Sequence, residues 1–289
     1  PQLAPEPVTF DRESGQVSFA CGPERQVRLA LVGKLLGRLP EARWPLAAEI
    51  DTGAFFDRGA KIGLGSSAAV AAAFVRAAEP AWGQDAVFAE ALAGHRAFQS
   101  GQGSGADVAA SVYGGVIGYR RGVASPARSL AMPSGLHWRA VWTRRSADTR
   151  EFLARLGAWQ EQEPAAYDRR MGRLLATAEA AVTAFEEGSA DAIMDVVDRY
   201  RSRLAEFGER AGLSIVSPIH ARLAEAAAAV GVAYKPSGAG GGDFGIAFST
   251  DPDRLRAFDA RLDRLGAHPV KLAIDAGARL EADPQPQGL

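Results

Sequence analysis

Apolar positions along this chain follow two rhythms, one near 3.6 residues and one of two, and these set out most of its elements. Val27, Leu31, Leu35 and Leu39 recur at helical spacing over 23–39, where Pro40 stops the pattern. The Ala-rich run 66–79 predicts a helix whose small side chains allow close packing, and 85–98 predicts a second. Met171, Leu174, Leu175, Ala178, Val182 and Phe185 form a stripe ended by Gly188. Ser189 then caps another stripe, Ile193, Val196, Val197, Tyr200 and Leu204. Residues 150–157 and 218–230 read as further helices, and Asp251-Pro252 starts the last, bearing Leu255, Phe258, Leu262 and Leu265.

The period-two and β-rich runs are shorter. Residues 8–10 and 16–20 flank Glu13-Ser14-Gly15 as a hairpin. Strands are expected at 46–50, 116–119, 138–143, 232–234, 244–248 and 270–274. A first domain over 1–133 and a second over 134–289 follow from this order, with no internal repeat.

At 289 residues with 47% hydrophobic composition, the chain can bury a substantial core. Its formal net charge of -1 offers no electrostatic case for nucleic acid or a membrane surface, so a small-molecule partner is expected. The lone Cys21 excludes an internal disulfide framework and fits a reducing cytoplasm. No run approaches the roughly 20 apolar residues of a spanning helix. We therefore expect a cytoplasmic protein, monomeric or homodimeric.

Three glycine-rich loops carry the candidate chemistry. In K-I-G-L-G-S-S-A-A, residues 61–69, Gly63 and Gly65 let the backbone approach an anion. Ser66 and Ser67 place hydroxyls where the first helical N–H groups lack partners, so a phosphate is attracted there. Lys61 precedes the glycines rather than following them, so this is not a Walker-type loop. The second loop, S-G-Q-G-S-G at 100–105, leads to Asp107, which by type is a helix cap or a working carboxylate. The third spans Ser237, Gly238, Ala239, Gly240, Gly241 and Gly242; it is a hairpin tip or a nest aiming several N–H groups at one anion.

Together the three loops resemble those of the GHMP small-molecule kinases, with 61–69 matching the family's G-L-G-S-S-A signature. Within that family, K-P-S-G-A-G-G-G-D-F-G-I-A-F at 235–248, the 213–218 region and the closing V-K-L-A-I-D resemble the bacterial phosphomevalonate kinases. The resemblance implies an α+β fold, with an N-terminal domain like the second domain of ribosomal protein S5 and a ferredoxin-like C-terminal domain. It implies ATP and Mg²⁺ as cofactors and phosphomevalonate as the small-molecule substrate. Gly63, Leu64, Gly65, Ser66 and Ser67 would hold the ATP phosphates, Ser67 would help position Mg²⁺, and residues 237–242 would close over the transferring group. Ser104-Gly105-Ala106-Asp107 matches the family's S-G-x-D, which makes Asp107 the catalytic carboxylate, with Lys61 beside it in role.

Bringing two phosphates together requires cations. Lys61 and Lys235 rank first because they adjoin glycine loops. Arg144 and Arg145 come next because they follow a strand, ahead of Arg120. Ser104, Gly105, His95, Arg144 and Lys235 are the expected acceptor contacts; His137, His220 and His268 have no such support. Two departures stand out. Mevalonate kinases place a glutamate eleven residues before the S-G-x-D aspartate, where this chain has Arg96, which weighs against that alternative. The family's first motif is absent, and the chain opens on Pro1, so about 40 to 50 preceding residues are expected to lie outside it. The alternatives are another GHMP small-molecule kinase, with mevalonate or a sugar as acceptor, and a non-catalytic nucleotide-binding homologue.

Overall fold

The computed structural model describes residues 7–40, 48–57, 60–101, 103–123, 126–145, 149–238 and 240–281. For residues 57, 60, 61 and 149–151 it describes the backbone only. The chain forms two units, one of residues 1–129 and 274–289 and the other of 130–273. A single cut at 133 therefore misses the return of the last residues to the first unit.

In the first unit, β1 (Phe10–Glu13) and β2 (Gln16–Phe19) form the expected antiparallel hairpin. Ser14 and Gly15 both take left-handed conformations, φ 50° and 79°, which suit the twist of a tight two-residue turn. α1 (Pro23–Leu36) starts on its proline and ends before Leu39, because Gly37 and Leu39 give their carbonyls to the Arg12 guanidinium at 3.1 and 2.7 Å. α2 (Ser66–Ala78), α3 (Gln84–Phe98) and α4 (Ala106–Tyr113) then pack as a layer around Ala68, Ala71, Val75, Ala91, Val108 and Val112, all buried. Small side chains make this possible: a Cβ on Gly94 would run into Leu35 of α1.

The expected strand at 46–50 is absent from its described part, 48–50; Leu46 and Ala47 lie outside the described residues. Ile50 instead packs onto the core from a loop, and the Asp51 carboxylate accepts the Gly53 N–H at 2.7 Å, starting a 3-10 turn, Gly53–Phe55. The short pair β3 (Phe56–Asp57) and β4 (Ala60–Lys61) follows, and β4 delivers the chain to the first glycine loop. β5 (Val116–Tyr119) pairs with β6 (Ala127–Leu130), which the hydrophobic pattern did not predict.

The 274–281 segment lies along the end of α4: Gly115 N–H donates to Asp275 O and Ala278 N–H to Ser111 O, both at 2.8 Å. Gly114, with φ 68°, leaves no room, since a Cβ there would overlap the backbone of Gly277. Gly114→Ala is therefore expected to lower stability by about 3 kcal/mol, read as a fall in the urea midpoint at unchanged slope. An unchanged midpoint would mean that this seam contributes little.

The second unit is a split β-α-β sheet. β7 (His137–Trp142), β8 (Ala233–Pro236), β9 (Phe244–Ser249) and β10 (His268–Val270) form one antiparallel sheet in the order β10-β7-β9-β8. α5 (Thr149–Gln162), α6 (Pro164–Glu186), α7 (Ala190–Arg210) and α8 (Pro218–Ala228) intervene between β7 and β8, and α9 (Pro252–Leu265) between β9 and β10. Reduced to α8 and α9, this is the ferredoxin-like order. Alternation sorts the faces. Tyr234 and Ala247 meet Leu223, Phe258 and Leu262 of α8 and α9, whereas Ala233 and Phe248 meet Ala184, Ile193 and Val197 of α6 and α7. The expected caps form: Ser189 Oγ accepts from Ala192 N–H and Asp251 Oδ1 from Asp253 N–H, at 3.3 and 2.8 Å.

β10 ends at Val270, short of the expected 270–274 strand, because the following residues leave the sheet for the first unit. Among the described residues, no helix is long and apolar enough to cross a membrane.

Candidate active site

The first glycine loop is built to receive an anion. Gly63 and Gly65 are left-handed, φ 77° and 72°, and Gly65 is the N-cap of α2 without a side-chain capping bond. The first helical hydrogen bond closes from Ala69 N–H to Gly65 O at 3.1 Å, so the N–H groups of Ser66, Ser67 and Ala68 are without partners among the described residues. A Cβ on Gly65 would stand 3.7 Å from the Cβ of Asp107, which sets the carboxylate's backbone beside this loop.

Asp107 is not the cap of its helix. Gly105 holds that position with φ 84°, and Asp107 falls in the first turn, where its Oδ1 accepts its neighbour Val108 N–H at 2.9 Å. The rest of the second loop is fixed from two sides. Ser104 gives its carbonyl to the Tyr119 hydroxyl at 2.8 Å, and its own Oγ accepts Ala106 N–H at 3.2 Å. A Cβ on Gly105 would meet Leu92 Cδ1 at 2.5 Å and the Tyr119 hydroxyl at 3.1 Å. Burial holds the Tyr119 hydroxyl above its ordinary pKa, with Arg96 and Arg121 opposing, so it stays a donor.

His95 is buried, 2% exposed, and its Nε2 lies 3.0 Å from Ser67 Oγ. Burial lowers its pKa and the nearby Asp107 charge partly offsets this, so the ring is neutral near pH 7. Ser67, His95 and Asp107, expected separately from sequence, are thus one cluster. His95 orients the Ser67 hydroxyl rather than presenting an open face of its own.

The third loop follows β8. Gly238, Gly240, Gly241 and Asp243 are all left-handed, φ 67°, 77°, 78° and 54°; Ala239 lies outside the described residues. Its N–H groups divide into two sets. Those of Ser237, Gly241 and Asp243 are held by Phe244 O, Ile215 O and Arg145 O at 2.8, 2.7 and 2.5 Å. Those of Gly238, Gly240 and Gly242 are without partners among the described residues. That second set is what an anion-binding nest requires.

The cations separate on environment. Lys235 is half-buried, its ammonium sits 5.7 Å from the Tyr200 ring, and burial pulls its pKa down to about 8. Among the described residues it has no ion-pair partner. Arg144 is exposed, takes a left-handed φ of 55° and lies with its guanidinium carbon 5.7 Å from the Trp142 ring. Arg145 is exposed and contributes a backbone carbonyl to the loop. The Lys61 side chain lies outside the described residues; its backbone pairs with Phe56.

Sequence reasoning passed over His220. Its Nδ1 lies 2.8 Å from the Tyr234 hydroxyl and its Nε2 3.0 Å from Gly242 O, all three buried. No local signal marks it, since its partners are 14 and 22 residues away.

The residues suit a magnesium-bound nucleotide. Among the described residues no three acidic, histidine or cysteine side chains gather round a metal point. A Mg²⁺ that takes its other oxygens from phosphates and water needs one or two protein oxygens, which Ser67 and Asp107 can supply.

A helix start without N–H partners among the described residues beside a carboxylate, and a second such nest following the half-buried Lys235, are features that suit a protein handling phosphate. Residues 40–115 match the GHMP kinases N-terminal domain family. Over 266 residues the chain is 32% identical to the phosphomevalonate kinase of Streptomyces sp. (strain CL190), covering 83% of this chain and 71% of that protein. Among solved structures, the Lin0012 protein from Listeria innocua superposes with a TM-score of 0.78 at 24% identity, over 92% of this chain and 82% of that one. Streptococcus pneumoniae phosphomevalonate kinase in complex with phosphomevalonate and AMPPNP gives 0.69 at 19% identity, over 91% and 88%. At those identities the two structures speak to the fold. The chain belongs to the GHMP kinase family and has its two-domain α+β fold.

Proposed function

We propose that this chain phosphorylates 5-phosphomevalonate with ATP and Mg²⁺, forming 5-diphosphomevalonate and ADP in the mevalonate route to isoprenoids. The observation that carries the reading is the 32% identity, over 83% of the chain, to the Streptomyces phosphomevalonate kinase. The geometry supports it through Lys235, a cation held in a partly desolvated place without a carboxylate among the described residues. A doubly charged acceptor compensates such a group.

In this reading the N–H groups at the start of α2 receive the nucleotide phosphates, with Gly63, Leu64 and Gly65 leaving room for them. The chemistry a bound Mg²⁺ would supply there is neutralisation of charge on the phosphates. Ser67 and Asp107 would hold that cation, with Ser67 oriented by His95. The N–H groups of 238, 240 and 242, without partners among the described residues, would receive the transferring phosphoryl, and the acceptor contacts would be Lys235 and Arg144 of the second unit and Ser104 and Gly105 of the first. Lys61 adds charge beside the first loop. The acceptor's phosphate oxygen attacks the γ-phosphorus while the bond to the β-phosphate oxygen breaks. Because that phosphate has its second pKa near about 6, no general base is needed at neutral pH. Asp107 orients rather than deprotonates.

A coupled ADP-release assay across mevalonate, phosphomevalonate, homoserine and galactose tests this. Turnover is expected with phosphomevalonate; turnover of mevalonate with none of phosphomevalonate would sink the assignment.

A further inference from the structure

We propose that His220 is a positioning residue that holds the third glycine loop in its anion-receiving shape, with Tyr234 and Gly245 as its supports. The 215–220 segment forms a shelf beneath the loop. Ile215 O takes the Gly241 N–H at 2.7 Å, and a Cβ on Gly240 would come within 2.5 Å of that same oxygen. His220, in the first turn of α8, bonds Gly242 O, two peptides further along the loop, at 3.0 Å. These two bonds turn one N–H and one C=O of the loop toward the shelf. The alternate N–H groups, at 238, 240 and 242, are left without partners among the described residues.

The chemistry of the three buried groups fixes where the protons sit. A carbonyl only accepts, so His220 Nε2 carries the hydrogen and donates it to Gly242 O. A neutral imidazole with its proton on Nε2 has a bare Nδ1, and the Tyr234 hydroxyl at 2.8 Å is its donor. Burial disfavours the charged ring, the nearby Lys235 does the same, and the Gly242 carbonyl opposes them. Burial likewise keeps Tyr234 protonated. Both groups are fully buried, so each would be left unsatisfied without the other.

Gly245 completes the arrangement. It faces Pro236 across β8 and β9, and a Cβ there would overlap the Tyr234 hydroxyl. The glycine after Asp243-Phe244 is therefore the space through which the tyrosine reaches the histidine. On the far side, Asp243 is pinned by Thr143, whose N–H and Oγ1–H donate to Asp243 O at 2.9 and 3.0 Å. With that end fixed, and with the Gly241 N–H and Asp243 N–H still held by Ile215 O and Arg145 O, loss of the His220 bond is felt most at the Gly241–Gly242 peptide between them, which has no bond of its own among the described residues.

The test uses the full chain and three readouts. Nitrogen-15 NMR of the wild type should show a neutral His220 protonated on Nε2; the opposite tautomer would overturn the proposal without any variant. Amide exchange in peptides covering 237–243 should rise about tenfold in His220→Leu. It should return to within about threefold of wild type in His220→Gln, whose amide offers both a donor and an acceptor. Gly245→Ala should match Tyr234→Phe in loop exchange. Unchanged exchange in folded His220→Leu would overturn the proposal; if that variant does not fold, wild-type exchange in folded Tyr234→Phe would. The third readout, turnover, rests on the phosphomevalonate reading: kcat/KM should fall about tenfold in His220→Leu and recover in His220→Gln. Should wild type show no turnover, that reading fails while the tautomer and exchange results still decide the role of His220.

Discussion

Asp107→Asn is expected to lower kcat by about a hundredfold while leaving the fold and nucleotide binding in place. The substitution keeps an oxygen at Oδ1 for the Val108 N–H and a helix-compatible side chain in the first turn of α4, so the unfolding midpoint should not move. What it removes is the negative charge beside Gly65 and near His95. Without that charge His95 loses the influence raising its pKa, so the ring stays neutral and its bond to Ser67 persists. The loss is then confined to cation and acceptor alignment. The pH profile separates this from general-base chemistry. With a phosphate acceptor the acidic limb, near about pH 6, belongs to the substrate and should survive in Asp107→Asn. A carboxylate acting as base on an alcohol would take the limb with it. Full activity in the variant would remove Asp107 from the chemistry.

The second large effect is expected at Lys235. Lys235→Met should raise the KM for the acceptor about thirtyfold with a smaller change in kcat, as loss of a charge-assisted contact made in both ground and transition states would do. Burial lowers the Lys235 pKa from 10.5 to about 8, so the ammonium is present below that pH and lost above it. Acceptor kcat/KM should therefore fall as pH rises through 8, and the limb should move upward in Lys235→Arg. Stability runs in the opposite sense. Between about 8 and 10.5 the unfolded chain holds the extra proton, so this group makes the native state gain stability as pH rises across that window. Urea midpoints across the range check it. A pH-independent acceptor KM in wild type would show that Lys235 does not meet the anion.

Much of the fold was legible because it rests on local, periodic signals. Helices α2, α3, α7, α8 and α9 lie where their apolar stripes and breakers predict, α5 and α6 run beyond the segments expected for them, and Ser189 and Asp251 cap as their side-chain chemistry suggests. The misses share a different cause. The strands expected at 46–50 and 270–274 are short apolar runs whose state depends on distant partners, Ile50 docking from a loop and residues 275–278 seeking α4. β6, with its Ala-Arg-Ser-Leu sequence, offers no period at all.

The candidate site divides in the same way. Glycines, serines and a carboxylate announced the loops, since positive φ and helix starts demand particular residue types. The sequence could not show that Ser67 meets His95, or that among the described residues the N–H groups of 238, 240 and 242 are without partners while those of 237, 241 and 243 are held. Nor could it show His220, whose partners become neighbours only when β8, β9 and α8 assemble. The structure also changes the reading of His95, from a contact of the acceptor to a buried support of Ser67.

The central claim is the identity of the acceptor, and phosphorus-31 NMR of the products tests it most directly. Incubation of the chain with MgATP and phosphomevalonate should convert the single monoester resonance into the coupled pair of a diphosphate, with ADP formed in equal amount. A monoester signal appearing from mevalonate, while phosphomevalonate stays unchanged under the same conditions, would contradict the account.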